Sequence, residues 1–198
     1  MPETGVCALV LAAGRGTRYR AEQDVDKLLA PAWRDDPRAP ATLLATCRAL
    51  AGVTEHLRVV IRADNLPLRR LLDDHLPAEA LLAVESQGLG DSLARAVARA
   101  PAARGWLVAL GDMPYVRRDS LVRIAAAIAP RALVLPCHQG RPGHPRGIGS
   151  AHREALLALA GERGAQALFA GPGVTRLALD DPGLLEDIDR PGDRRARA

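Results

Sequence analysis

The chain has 198 residues, of which 48% are hydrophobic, 25% are charged and 3% are aromatic, and its formal net charge is +4. This balance is typical of one globular domain with an aliphatic core, and it excludes a disordered chain. No apolar stretch approaches the roughly 18 residues that span a bilayer, and few aromatic side chains are present to stack on bases. We therefore expect neither a membrane nor a nucleic-acid partner.

The N-terminal sequence and the cysteines indicate the cellular compartment in which the protein is expected. The opening MPETG lacks the basic and apolar regions of a secretory signal. The widely spaced Cys7, Cys47 and Cys137 form no C-x-x-C pair, which argues against a disulfide framework or a zinc knuckle. We expect a cytoplasmic protein. Residues 190–198 carry four arginines and are predicted to form a loose basic tail.

Short apolar runs alternate with helical patterns along the chain. Strands are predicted at 5–12, 56–62, 80–86, 105–112, 131–137 and 174–181, and helices at 41–52, 66–76, 91–100, 118–129, 152–161 and 165–171. Residues 138–150 are predicted to form a glycine-rich loop that contains a short strand. Single helices between strands indicate one α/β domain over 1–198, with a mainly parallel sheet and helices on both faces.

Helix caps and loops locate the candidate site. Asp91 or Ser92 is predicted to cap the helix at 91–100, and Asp119 or Ser120 the helix at 118–129. Ligands of such sheets bind outside the carboxyl ends of the strands. The loops at 12–27, 85–91 and 111–116 are therefore the candidate binding loops, and the segment 138–149 is a fourth.

The segment LVLAAGRGTR, residues 9–18, runs from a predicted buried strand into glycines and cations. A dinucleotide fingerprint would need a third glycine where Tyr19 stands, and a P-loop would need Ser or Thr after Lys27. The segment instead fits the nucleotidyltransferase template L-A-A-G-x-G-x-R followed by a lysine. An ordinary glycine turn is the structural alternative.

This template has a physical basis. Gly14 and Gly16 let backbone N–H groups point at the oxygens of a triphosphate, and Arg18 and Lys27 neutralise its β- and γ-phosphates. Arg18 and Lys27 are therefore predicted catalytic residues. The predicted nucleotide-binding residues of this segment are Leu11, Ala12, Ala13, Gly14, Arg15, Gly16 and Thr17.

Carboxylates provide a candidate Mg²⁺ site. Asp112 follows a predicted buried strand in LVALGDMP, and Mg²⁺ prefers one or two carboxylates together with substrate phosphates. A helix-capping role for Asp112 is disfavoured because Asp119 and Ser120 are available for that cap. In LEDIDRPGD, Asp187 and Asp189 are favoured over Asp193 as the second ligand, because Asp-Ile-Asp indicates an extended segment with Ile188 facing inward. A solvated acidic turn is the alternative.

Two further segments complete the predicted site. In ESQGLGDSLARAV, Gly88 and Gly90 would permit close approach of a base, and Ser92 would begin a helix that presents N–H groups. A glycine turn before a capped helix explains the same residues. In PGHPRGIG, His144 and Arg146 lie in a loop where an anionic acceptor would fit, although a lone histidine is more often structural.

From residue 6 to residue 193, these motifs and their order resemble the molybdenum cofactor cytidylyltransferases, within the wider group that shares the nucleotide-transferase domain of the molybdenum cofactor guanylyltransferases. The resemblance implies a single Rossmann-like three-layer α/β/α domain that uses CTP and Mg²⁺ to attach CMP to the terminal phosphate of molybdopterin. It also implies a molybdenum-hydroxylase target enzyme or its chaperone as partner. The LAAG-RG sequence is similar to the cytidine-using branch, and use of GTP is the alternative.

The resemblance also implies residue roles. It assigns Gly14, Arg15, Gly16 and Arg18 to the triphosphate, Lys27 to its charge, Gly88 to Ser92 to the base, and Asp112 with Asp187 or Asp189 to the metal.

The sequence departs from the family pattern in several places, and two of them concern candidate site residues. Lys27 stands nine residues beyond Arg18, farther than in the family, so either the loop bulges or Lys27 is displaced. Arg146 follows the GHP motif, where the family has an apolar or aromatic residue. Two alternatives follow: transfer to a sugar, polyol or phospholactate-type phosphate, or a non-catalytic nucleotide binder that carries the cofactor.

Overall fold

The computed structural model describes residues 5–197. Residues 1–4 and Ala198 lie outside the described residues. The first range belongs to the segment in which no secretory signal is predicted, and Ala198 is the last residue of the predicted tail. Along the described chain, no helix has the length and apolarity needed to cross a membrane.

Within residues 5–197, the domain consists of eight strands and six α-helices. The strands are β1 (Val6–Ala12), β2 (His56–Arg62), β3 (Leu81–Val84), β4 (Gly105–Leu110), β5 (Leu133–His138), β6 (Arg141–Pro142), β7 (Arg146–Gly149) and β8 (Val174–Ala178). The helices are α1 (Thr17–Glu22), α2 (Thr42–Leu50), α3 (Leu66–Asp73), α4 (Leu89–Arg99), α5 (Arg118–Ala126) and α6 (Arg153–Leu157). Short 3₁₀ helices include Ala165–Ala170 and Pro182–Leu185.

The strands form one mixed, mainly parallel sheet in the order β3-β2-β1-β4-β7-β5-β6, with β8 beside β5. The pairs β1–β2, β2–β3, β1–β4 and β5–β8 are parallel, and β7 runs antiparallel between β4 and β5. The strand order reverses between β1 and β4. The predicted single α/β domain is confirmed, and the reversal marks the place where such sheets bind ligands.

Alternating side chains of the strands supply two hydrophobic cores, one on each face of the sheet. Val10 of β1 belongs to the core covered by α2, α3 and α5. Its neighbour Leu9 belongs to the core covered by α4 and α6, together with Trp106 of β4. Because both faces are covered, β1 is buried along its whole length, which explains its continuous apolar sequence.

One local prediction is wrong, because helix α1 lies inside the predicted loop 12–27. The segment TRYRAE buries only Tyr19, so its sequence shows no helical apolar pattern. The predicted helix at 165–171 is present over Ala165–Ala170, as a 3₁₀ helix.

The predicted helix caps are also wrong. Helix α4 begins at Leu89 with Gly88 as N-cap, and α5 begins at Arg118 with Arg117 as N-cap, without a side-chain cap at either. The N–H of Arg117 is satisfied by Asp181 Oδ2 at 2.8 Å, a partner 64 residues away. The predicted caps therefore lie within the first turns of their helices.

The prediction of a loose tail over 190–198 is wrong for residues 190–197. The backbone N–H of Arg195 donates to the hydroxyl of Tyr115 at 2.8 Å, and its carbonyl accepts from the N–H of Arg34 at 3.0 Å. The guanidinium of Arg195 bonds to Glu186 at 2.6 Å and lies over the Tyr115 ring at 4.7 Å. The basic residues hold the C-terminal segment against the domain.

Candidate active site

A cleft of about 460 Å³ opens at the carboxyl edge of the sheet, where the strand order reverses between β1 and β4. Its lining comes from the loops after these strands, from β2 and from the start of α4. The lining residues are Leu11, Ala12, Ala13, Gly14, Arg15, Gly16, Thr17, Arg18, Lys27, Leu28, Arg62, Ser86, Gln87, Gly88, Leu89, Ser92, Leu110, Asp112, Glu162 and Asp189. The structure thus brings most of the sequence-predicted site residues to one cavity.

The glycine loop after β1 forms one wall of this cleft. Gly16 has a φ of +59° and precedes α1, a conformation that favours glycine. A Cβ built on Gly16 would stand 3.6 Å from Cγ of Lys27, so the Lys27 stem passes directly beside this glycine. The loop therefore holds both a tight backbone turn and the lysine that faces the cleft.

Lys27 lies between two carboxylates. Its Nζ donates to Asp112 Oδ2 at 2.6 Å and to Asp189 Oδ1 at 3.0 Å. Arg18 donates to the other oxygen, Asp189 Oδ2, at 2.6 Å. Residues after β1, after β4 and near the C-terminus thus meet in one charged network, and the extra residues between Arg18 and Lys27 do not carry the lysine away from the site.

Asp26 fixes the loop that delivers Lys27. Its Oδ2 accepts from Asn65 Nδ2 at 2.9 Å and from Arg20 at 3.2 Å, while its Oδ1 accepts from the N–H of Leu28 at 3.0 Å. Asn65 also caps α3 by accepting from the N–H of Leu68. The bulged loop is therefore tied to a neighbouring helix on one side of Lys27 and to its own backbone on the other.

Burial and charge act against each other in this network. Burial raises the pKa of Asp112, and the nearby Asp187 adds to this rise, while Lys27 opposes it. Burial alone would lower the pKa of Lys27, but Asp112 and Asp189 outweigh it and the net shift is upward. Burial would raise the pKa of Asp189, but Lys27 and Arg18 hold it below its ordinary value. The side chain of Lys27 is therefore a protonated, positively charged ammonium group.

The acidic residues fit a divalent cation. One oxygen each of Asp112, Asp187 and Asp189 lies within 4.8 Å of the others. Among the described residues, Asp112 Oδ1 is buried and has no hydrogen-bond partner, so one oxygen of the most enclosed carboxylate is left for a ligand. Carboxylate oxygens are the ligands that Mg²⁺ and Mn²⁺ prefer. Ile188 between the two outer carboxylates is fully buried, as predicted, and its N–H donates to the Asp112 carbonyl at 2.9 Å.

The glycines at the start of α4 have a packing role that the sequence did not indicate. A Cβ on Gly88 would stand 2.5 Å from the Gly161 carbonyl, and one on Gly90 would stand 2.3 Å from the Arg163 carbonyl oxygen. The N–H groups of Gly90 and Asp91 point to the Gly161 carbonyl. Gly88 and Ser92 still line the cleft, but Gly90 is buried under residues 160–163 and is not among the lining residues.

His144 is not a cleft residue. It lines a small apolar cavity under α2 and α5, with Thr46 and Leu121 among its neighbours. Burial, with the Arg146 charge as a smaller cause, lowers the pKa of His144 to about 4. The predicted contact between this histidine and a ligand in the cleft is therefore wrong, and the structural alternative holds.

Sequence reasoning missed several residues of the site. Arg62 and Glu162 line the cleft, and Asp26 and Asn65 position the loop of Lys27. Arg62 carries a readable signal, because it ends β2 at the edge where ligands bind. Asp26 carries none, since its partners are set by the tertiary fold.

Comparisons with known proteins agree with this geometry. A family model described as the MobA-like NTP transferase domain matches residues 8–179. The "Bifunctional protein GlmU" of Azotobacter vinelandii is 31% identical over 127 residues, covering 64% of this chain and 26% of that protein. The protein of the same name from Nitrobacter hamburgensis is 30% identical over 204 residues, covering 96% of this chain and 42% of that protein. The chain thus spans less than half the length of these curated relatives.

Solved structures show the same architecture. Rv0371c of Mycobacterium tuberculosis in complex with manganese superposes with a TM-score of 0.74 at 26% identity, covering 96% of this chain and 95% of that chain. A nucleotidyl transferase from Methanothermobacter has a TM-score of 0.78 at 24% identity, with coverage of 96% and 94%. The 4-diphosphocytidyl-2C-methyl-D-erythritol synthase of Anaerococcus prevotii has a TM-score of 0.67 at 13% identity, with coverage of 96% and 92%. The last two show likeness of fold alone.

Proposed function

The chain belongs to the MobA-like NTP transferase family, and we propose on that premise that it moves CMP from CTP to the terminal phosphate of molybdopterin and releases pyrophosphate. One observation supports nucleotidyl transfer most strongly. Lys27 bonds to both Asp112 and Asp189 in the cleft beside the glycine loop. The molybdopterin acceptor and the choice of CTP rest on the sequence motifs. The partner, a molybdenum hydroxylase or its chaperone, and the cytoplasmic location stay predictions.

Each residue has a role that follows from its position. Backbone N–H groups of Gly14 to Thr17 would receive the triphosphate, and Arg18 and Lys27 would neutralise its β- and γ-phosphates. Asp112, with Asp187 and Asp189, would hold Mg²⁺, which supplies charge neutralisation at the phosphates when bound. Gly88 and Ser92, which also line the cleft, would receive the base.

The reaction is an in-line displacement. An acceptor phosphate oxygen bonds to the α-phosphorus of CTP, while the bond from that phosphorus to the bridging oxygen breaks and the electron pair leaves with pyrophosphate. A phosphate monoester is largely ionised at neutral pH, so the acceptor needs no general base. Orientation in the cleft and neutralisation by Arg18 and Lys27 then supply the acceleration that this chain contributes.

Pyrophosphate release tests the proposal. The protein is incubated with Mg²⁺ and molybdopterin and, in separate reactions, with CTP, GTP, ATP or UTP, and the expected result is release with CTP. An Asp112→Asn variant serves as the control. Release with GTP alone would overturn the choice of nucleotide.

A second candidate acceptor is a polyol or sugar phosphate. It is favoured by the fold shared with a synthase whose name joins a diphosphocytidyl group to methyl-erythritol. A panel of polyol and sugar phosphates, assayed with CTP in place of molybdopterin, separates the two candidates. Nucleotide binding without pyrophosphate release across every acceptor would leave the non-catalytic alternative.

A further inference from the structure

We propose that Arg146 forms a second anion subsite, on the far side of β4 from the glycine loop, and that it receives the phosphate of the acceptor. The inference rests on the proposed function, because it concerns the second substrate of the same reaction. The inference concerns the arginine that follows the GHP motif in this chain.

The strand register places Arg146 beside β4, near the carboxyl edge of the sheet and next to the residues that line the cleft, although Arg146 is not itself one of them. Strand β7 begins at Arg146, runs antiparallel to β4 and pairs Arg146 with Val108. Leu110, which lines the cleft, stands two residues further along β4 and so is a diagonal neighbour of Arg146. Arg146 therefore lies beside the carboxyl end of the strand that leads to Asp112.

Because of the strand order, the proposed site for the nucleotide phosphates and the proposed site for the acceptor phosphate lie on opposite sides of β4. The glycine loop follows β1, Asp112 follows β4, and Arg146 begins β7, and these three strands are adjacent in the sheet in this order. A nucleotide in the glycine loop and an anion at Arg146 would therefore approach Asp112 from opposite sides. An in-line displacement needs this arrangement of donor and acceptor.

Among the described residues, no carboxylate pairs with the guanidinium of Arg146. It lies over the Phe169 ring with Cζ 5.0 Å from the centroid. Within residues 5–197, its Nε is buried without a hydrogen-bond acceptor, and no ion pair joins this arginine to a carboxylate. A buried, unpaired charge is costly, so a partly buried arginine of this kind calls for a negative ligand.

Arg195 shows what Arg146 is missing. It also lies over an aromatic ring, that of Tyr115 at 4.7 Å, but its Nε bonds to Glu186 at 2.6 Å. The same stacked geometry at Arg146 leaves the buried Nε without an acceptor among the described residues. A planar guanidinium in this position matches a phosphate in a two-point hydrogen bond, which a lysine cannot reproduce.

The test measures the binding of inorganic phosphate to protein saturated with Mg²⁺ and a non-hydrolysable CTP analogue, so that the glycine loop is already filled. We expect Arg146→Met to weaken phosphate binding at least tenfold, Arg146→Lys to weaken it severalfold, and neither to change affinity for the analogue more than twofold. Arg141→Met, which removes an exposed arginine of β6, is the matched control with unchanged binding. The Lys variant decides the question if the Met variant does not fold.

Steady-state kinetics with molybdopterin separate the two proposals. Arg146→Met should raise the acceptor KM at least tenfold and leave the KM for CTP unchanged. Phosphate binding that depends on Arg146, in a protein that releases no pyrophosphate with molybdopterin, would support the subsite and refute the acceptor assignment. Equal phosphate binding by wild type and both Arg146 variants would overturn the subsite and leave the nucleotidyl transfer standing.

Discussion

Asp112 follows β4, and among the described residues one of its oxygens bonds to Lys27 while the other is buried without a partner. Asp112→Asn keeps the size of the side chain but removes the negative charge. We expect it to cost several kcal/mol of transition-state stabilisation, which is at least about 100-fold in kcat/KM for CTP. The thermal unfolding midpoint should change little, since the backbone bond from Ile188 to the Asp112 carbonyl remains.

Asp73→Asn is the matched control for this change, because Asp73 lies on the exposed side of α3 and pairs only loosely with Arg69 at 3.7 Å. It should retain wild-type kcat/KM. Near-normal activity of Asp112→Asn, measured by pyrophosphate release, would remove Asp112 from the metal site.

Lys27 occupies the position where a divalent cation would meet the same carboxylates. Its Nζ lies 2.6 Å and 3.0 Å from oxygens of Asp112 and Asp189. Without nucleotide, the ammonium and the metal ion therefore repel each other, whereas a bound triphosphate offers Lys27 another partner. Lys27→Met should bind Mn²⁺ about tenfold more tightly than wild type in the absence of nucleotide, as measured by electron paramagnetic resonance titration.

Arg15→Met tests whether this effect belongs to Lys27 or to any positive charge of the cleft. Arg15 lines the same cleft, but its charge acts on Asp64. We expect Arg15→Met to leave Mn²⁺ affinity within twofold of wild type. Weaker or unchanged binding by Lys27→Met would show that the lysine does not compete with the metal ion.

Asp26 fixes the conformation of the loop that precedes Lys27. This side chain accepts three hydrogen bonds, from Arg20, Asn65 and Leu28. Asp26→Ala releases the loop, and the lost bonds are each worth about 1 kcal/mol net. We expect kcat/KM for CTP to fall about tenfold, while Mn²⁺–nucleotide binding still saturates. Asp24→Ala, at an exposed position of the same loop, should leave both unchanged, and an equal loss in both variants would contradict a positioning role.

Tyr115 anchors the C-terminal segment to the rest of the domain through hydrogen bonds. The Tyr115 hydroxyl donates to the Ala32 carbonyl at 2.5 Å and accepts from the Arg195 N–H at 2.8 Å. Tyr115→Phe leaves both partners unsatisfied, so we expect the free energy of unfolding in urea to fall by about 1–3 kcal/mol. Arg197→Ala removes an exposed ion pair with Asp36 and should change it by less than about 1 kcal/mol. A larger effect from Arg197→Ala would reverse this ranking.

Elements with a strong apolar pattern could be predicted from the sequence, and those held by distant partners could not. Strand β2 runs over the predicted residues, because HLRVVIR is a short run of apolar and β-branched residues that reads directly as a strand. Helix α1 was missed because only Tyr19 faces the core. The cap of α5 was assigned to Asp119 or Ser120 from local sequence, whereas the bond to the Arg117 N–H comes from Asp181. Local propensity cannot reveal a cap contributed from another part of the fold.

At the scale of the whole molecule, sheet topology explains why much of the candidate site could be predicted. Parallel strands end at one edge, so the motif after β1 and the Gly-Asp after β4 had to lie close together once both strands were recognised. The pairing of Lys27 with Asp112 spans 85 residues and depends on the bulged loop, which the sequence left open. His144 was misplaced because a motif gives no information about which face of the sheet a loop side chain enters.

His144 links the folding of the whole domain to pH. Burial lowers the pKa of His144 to about 4, whereas a histidine in the unfolded chain titrates near about 6.5. As pH falls through about 6.5, the unfolded chain takes up a proton that the folded protein refuses until about pH 4. The unfolded state thus binds more protons in this window, and its stabilisation lowers the free energy of unfolding. Above about pH 6.5 this residue contributes no pH dependence.

Urea unfolding at pH 7, 5.5 and 4 measures this linkage. A folded pKa of about 4, against about 6.5 in the unfolded chain, corresponds to a loss on the order of 3 kcal/mol between pH 7 and pH 4. His144→Gln removes the titrating group. As the pH falls from 7 to 4, the free energy of unfolding of the variant relative to wild type should therefore rise by about that amount. Parallel pH profiles for wild type and His144→Gln would mean that the imidazole is solvated in the folded protein.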